Sequence, residues 1–182
     1  MDPIATLKHE HQLILAVCDA ASRESQRLSA GGALDAARVE KMLDFVRTFA
    51  DRCHHAKEED LLFVRMAERG FPVDSGPVGV MLHEHEMGRA HVRAIAEALP
   101  SAAAGDAGAV RQIADNLLGW AELLRSHIYK EDNVLYPMAE HVLPPDDMAA
   151  LADAFERVER DEIGAGVHER YAALARELAS AT

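Results

Sequence analysis

Apolar residues recur at three- and four-residue intervals along nearly the whole chain, and β-branched runs are almost absent. That is the period of amphipathic helices. Stop signals divide the pattern into six pieces. The first helix is expected from about Pro3 to about Leu28, ended by Gly31-Gly32. The second runs from about Asp35 to Arg69, closed by Gly70 and Pro72. The third runs from about Gly76-Pro77 to Pro100, and a small-residue loop, SAAAGDAG, follows. The fourth spans about Ala109 to Val142, with a kink expected at Pro137. After Pro144-Pro145, Asp146 caps a fifth helix to about Asp161. A last helix starts near Val167. Short loops between long helices imply antiparallel neighbours. The expected fold is therefore all-α: an up-down-up-down four-helix bundle over about 3–142 with additional C-terminal helices over about 146–181, in one domain of residues 1–182.

Polar residues break the apolar faces twice, in the same way. HEH stands at 9–11 and again at 83–85; HHAKEEDLLF at 54–63 is echoed by HIYKEDNVLY at 127–136. In the second match His54 falls on His127, Lys57 on Lys130, Glu58 on Glu131, Glu59 on Asp132 and Phe63 on Tyr136. The bundle reads as two copies of a helix pair, one helix carrying HEH and the other H-x-x-x-E. At a rise of about 1.5 Å per residue, the motifs of antiparallel neighbours fall at about one level.

A histidine and a glutamate at i and i+4 share a helix face. His54 shares its face with Val46, Ala50, Leu61 and Leu62, whereas His55 is turned about 100° away beside Asp51 and Arg52. The echo puts Ile128 opposite His55, so His55 and Glu59 read as a solvated edge. His11 aligns with Ile4, Leu7, Ile14, Leu15 and Cys18, and His85 lies between Val78, Met81 and Val92. His127 lies among Trp120, Leu123, Leu124 and Leu135. His9 and His83 are then expected either just behind the ligands or on the surface. The inward set is His11, His54, Glu58, His85, His127 and Glu131. Four imidazoles and two carboxylates cannot be buried together unpaired. A pair of metal ions resolves this, and the donor types suit iron, manganese or zinc. A hydrogen-bonded polar layer without metal is the competing reading. A structural zinc ranks low, because it needs only four ligands.

Composition narrows the partners. A net charge of −12 argues against nucleic acid or an anionic membrane, which would select a basic patch. No apolar run is long enough to span a bilayer, and no signal-peptide pattern opens the chain. Cys18 and Cys53 form no CxxC and read as reduced, buried thiols, so a cytoplasmic location is expected. The count of 10 histidines points instead to metal chemistry.

With Glu10-His11, HHAKEEDLLF, Glu84-His85 and HIYKEDNVLYP, the sequence resembles the hemerythrin-like family, the HHE cation-binding domain, over roughly residues 3–142. The resemblance implies a non-haem, carboxylate-bridged centre of two iron ions that binds dioxygen or a related gaseous or peroxide ligand. It leaves Glu131 or Asp132 as the helix-4 carboxylate; the repeat favours Glu131. Oxygen-carrying members have a further histidine where this chain has Met81. His168, Glu169 or Tyr171 of the last helix, or less readily His91, are the candidates to replace it. Two functions follow: a di-iron protein that binds or senses the small ligand, or a di-iron enzyme acting on peroxide or NO. Ferritin-like oxidases use more carboxylates, which favours binding over oxidation. A sensor would need a protein partner, and a homodimer remains open.

Overall fold

A computed structural model describes residues 2–164 and 166–180. They form six helical rods and, among the described residues, no strand. These are α1 (Pro3–Ser29), α2 (36–68), α3 (Gly76–Ala103), α4 (107–142), α5 (145–163) and α6 (Val167–Ser180). Local chemistry sets the ends. The Asp2 carboxylate accepts the Ile4 N–H at 2.9 Å, that of Asp35 accepts Arg38 N–H at 3.0 Å, and that of Asp106 accepts Gly108 N–H at 2.7 Å. Gly70, at φ 96°, turns the chain out of α2, a conformation that favours glycine. Helix α3 passes Pro100 by one turn, because a proline so near the end removes little of the ladder; Ala104 N–H still reaches Pro100 C=O at 3.1 Å. Pro145, not Asp146, opens the first turn of α5.

Helices α2 and α4 are not uniform. In α2 the turns Val46–His55 and Glu58–Leu62 are widened π turns, and so is Glu131–Leu135 in α4. Phe63 N–H bonds to Glu58 C=O and Tyr136 N–H to Glu131 C=O, five residues back in each case. The irregularity expected at Pro137 thus lies just before it, at the same place in both copies of the repeat. Such widened turns concentrate at functional sites.

Helix α4 packs along α1 and α3, and α6 lies against α1 and α2. The apolar interior is split into two slabs. One contains Ile14, Ala50, Val92 and Leu124; the other contains Leu7, Leu62, Met81 and Leu135. In every bundle helix the inward polar residues fall between a member of one slab and a member of the other. Helix α6 completes the first slab through Tyr171, and α5 completes the second through Leu151 and Phe155. The polar layer therefore lies between two hydrocarbon slabs, so its electrostatics are strong.

Candidate metal centre

The structure brings His11, His54, Glu58, His85, His127 and Glu131 together, all buried. They form two groups, each with four donor atoms within 4.8 Å of one another: His11, His54, Glu58 and Glu131, and His55, Glu58, His85 and His127. Glu58 belongs to both. Its Oε2 lies 3.6 Å from His54 Nε2 and 3.5 Å from His85 Nε2. Glu131 also faces both ways, with Oε2 at 3.2 Å from His11 Nε2 and Oε1 at 3.0 Å from His127 Nε2.

Each of the four imidazoles expected at the centre is held from behind. Its Nδ1 meets a carboxylate from a different helix: His54 with Glu10 at 2.8 Å, His127 with Glu84 at 2.9 Å, His11 with Asp132 at 2.8 Å and His85 with Glu59 at 2.6 Å. The Lys57 ammonium donates to Glu10, and that of Lys130 to Glu84. The twofold repeat is thus carried into the surrounding shell. The middle Glu of HEH orients the histidine of the neighbouring H-x-x-x-E helix. The acidic residue after the motif glutamate orients the histidine of HEH. Asp132 therefore supports His11, while Glu131 faces the centre.

This arrangement fits metal ions. A carboxylate acceptor fixes the proton on Nδ1 and leaves Nε2 as a bare lone pair. His11 Nε2 and His54 Nε2 nevertheless lie 3.0 Å apart, as do His85 Nε2 and His127 Nε2. Two lone pairs that close repel unless a cation sits with them. Glu58 Oε2 and both Glu131 oxygens are buried without a hydrogen bond, which is costly for a carboxylate. Orphaned oxygens and facing nitrogens are what two shared cations would satisfy.

Without metal, protons serve instead. Burial works against a charged His11, but Asp132 and Glu131 outweigh it and raise its pKa to about 9. Burial likewise opposes charge on His127, but Glu131 and Glu84 raise it to about 10. Their partners go the other way: burial takes His54 down to about 4 despite Glu10, and burial also lowers His85. Each facing pair therefore shares one proton between its Nε2 atoms. Burial and the neighbouring Glu131 push Glu58 well up. Burial would do the same to Glu131, but His127 and His11 hold it well down.

Three expectations change. His55 is not on a solvated edge: it is 7% exposed, stacked on the His85 ring at a centroid distance of 3.8 Å, with Nδ1 3.3 Å from Asp51 Oδ1. The widened turn is the reason. A π turn takes more residues per revolution than the 3.6 of an α-helix, so consecutive side chains diverge by less than 100° and both His54 and His55 reach the interior. Glu59 is only partly exposed and bonds both His85 and Arg89. Finally, the last helix does not stand in for the histidine absent at Met81. Tyr171 O–H donates to Asp44 at 3.0 Å, His168 packs near Phe49 and His9, Glu169 is exposed and His91 pairs with Asn116. Met81 is packed in the apolar slab, and His55 is the histidine that adjoins His85. As expected, His9 and His83 are exposed.

The two faces of the layer differ. On the His11–His54 side, Tyr136 O–H donates to Glu58 Oε1 at 2.6 Å and lies 3.3 Å from His11 Nε2. Lys57 there is fully buried and also bonds Glu159 of α5 at 2.6 Å. On the other side a cavity of about 180 Å³ reaches His55, His85 and His127.

Comparison with known proteins agrees with this geometry. Uncharacterised proteins of Mycobacterium tuberculosis and Mycobacterium bovis are 23% identical over 158 residues, covering 87% of this chain and 61% of their own length. The chain thus spans less than two thirds of those relatives. No solved structure matches significantly. The family described as "Hemerythrin HHE cation binding domain" matches residues 2–139. With that match over most of its length, and two histidine–carboxylate groups sharing Glu58 in its core, this chain belongs to the hemerythrin HHE cation-binding family.

Proposed function

We propose that the chain holds two iron ions, one in each histidine–carboxylate group, and binds or senses dioxygen, NO or peroxide there. The sharing of Glu58 between the groups carries this reading, because it makes the pair one dinuclear centre. The mixed imidazole and carboxylate donors suit iron. Bound iron would supply the electrons that small oxidising ligands need. The chain supplies the rest. His11, His54, His85 and His127 would offer Nε2 and His55 a ring nitrogen, the carboxylates of Glu58 and Glu131 would hold the ions between the two histidine sets, and the outer carboxylates fix the rings. Tyr136 holds Glu58 Oε1, and the apolar slabs exclude water.

Turnover of peroxide or NO is the second reading. It is supported by the cavity that opens onto the three-histidine side, a route for reactant and product. One experiment separates the two. Iron-loaded protein is followed by absorption through cycles of ligand addition and removal. Reversible spectra over many cycles support binding, whereas sustained consumption of added peroxide or NO supports the enzyme. A chain that takes up no iron would refute both.

The setting belongs to the same proposal. Cys18 and Cys53 are free and buried, in keeping with a cytoplasmic protein. Among the described residues no helix is long and apolar enough to cross a membrane. A sensing role calls for a protein partner or a second copy.

A further inference from the structure

The cavity beside His55, His85 and His127 is larger than a diatomic ligand requires. An engineered apolar cavity of about 150 Å³ accepts benzene; this one measures about 180 Å³. Its walls are Val46, Ala50, Gly88, Val92, Trp120 and Leu124. Gly88 contributes open space: the nearest atoms a Cβ there would meet are in ordinary contact, Leu124 at 3.6 Å, Trp120 at 3.9 Å and Leu123 at 4.0 Å.

Its rim is basic. Arg47, Arg89 and Arg93 all line the cavity. Arg89 is neutralised by Asp51, Glu59 and Glu86. Of the cavity's acids, Asp51 is taken by Arg89 and His55, and Glu84 by His127 and Lys130. Arg47 and Arg93 are exposed, and no ion pair or hydrogen bond engages either among the described residues. Two unpaired guanidinium groups over an apolar chamber stand out in a chain of net charge −12. Guanidinium is the preferred partner of a carboxylate.

We propose that this cavity binds a small amphipathic carboxylate: a body up to about the size of one aromatic ring rests on the apolar walls, and the carboxylate meets Arg47 and Arg93 at the rim. This deepens the proposed function by giving the three-histidine side an organic ligand class. It rests on that reading only for what lies at the inner end.

Phenylacetate and its neutral isostere phenylacetamide are the probes, titrated calorimetrically into metal-free and iron-loaded protein. The acid should bind both forms, about tenfold more tightly than the amide. Arg47→Ala/Arg93→Ala, changes on the exposed rim, should abolish that preference. Gly88→Leu should remove binding of both probes, with circular dichroism confirming that the fold persists. Equal binding of acid and amide, no binding of either, or an acid preference that survives the double variant would overturn the proposal. A preference present only with iron would also overturn it, because the metal would then be reading the carboxylate. Binding to the metal-free chain keeps this test separate from whether iron binds at all.

Discussion

Glu10 and Glu84 have the same connections but different surroundings, so replacing each by glutamine separates two effects. Glu10 is 0% exposed and accepts from His54 and from the fully buried Lys57. Burial alone would raise its pKa, yet His54 and Lys57 hold it at about 2 against an ordinary 4.5. That difference corresponds to about 3 kcal/mol of stability at neutral pH. Removing one member of a buried pair costs about 3–5 kcal/mol, and Lys57 keeps Glu159, so the low end applies. Glu84 and Lys130 are 15% and 33% exposed, so water screens that pair to less than about 1 kcal/mol; Glu84 also faces the buried, charged His127, so its variant should lose more than a surface pair does but less than the Glu10 variant. Both glutamates orient a histidine of the centre, so both variants should lose about 10–100-fold in metal affinity. Urea unfolding of metal-free protein measures the first quantity, and chelator competition the second. Equal stability losses would refute the role of burial. Unchanged metal affinity in both variants would refute the orienting role of the carboxylates.

Other consequences follow from the same geometry. His55→Ala should lower metal content from two ions per chain toward one, as read by elemental analysis; full occupancy would return His55 to a packing role. Loading the protein at pH 7 should release at least two protons, from His11 and His127, with Glu58, whose pKa is also pushed up, adding to the count; calorimetry in buffers of different ionisation enthalpy measures it. Because the two histidine pKa values are raised, their contribution to metal-free stability is complete below about 6.5 and declines as pH rises through 9 and 10. Urea midpoints that rise over that window would contradict the assignment. Tyr136→Phe leaves Glu58 Oε1 without its donor and should destabilise the metal-free protein by roughly 1–3 kcal/mol in denaturant unfolding; an unchanged midpoint would mean that this hydrogen bond contributes nothing.

The sequence reads well where periodicity and repetition act together. The bounds of α1 and α2 follow from Asp2-Pro3, Asp35 and Gly70, whose capping and turning chemistry is local. The six inward residues follow from two motifs that vote for each other. Periodicity misplaces His55 because a face assigned at 100° per residue assumes an α-helix, and Val46–His55 is wound more loosely. Nothing local in RTFADRCHH announces that. The orienting carboxylates were legible in part: the repeat preserves Glu10 with Glu84, Lys57 with Lys130 and Glu59 with Asp132, more than the ligands alone require. Their partners lie across helices, as far as 121 residues apart for His11 and Asp132, so pairing them needs the fold. Side-chain chemistry alone makes Tyr171 and His168 candidates for the centre, whereas packing places them with Phe45 and Phe49.

The central claim is one dinuclear centre joined through Glu58, and a Mössbauer spectrum of the iron-loaded chain tests it most directly. Two irons per chain, coupled in the di-ferric state, with the coupling weakened or iron lost in Glu58→Ala, is the predicted result. A single iron, or two magnetically independent ones, would contradict it.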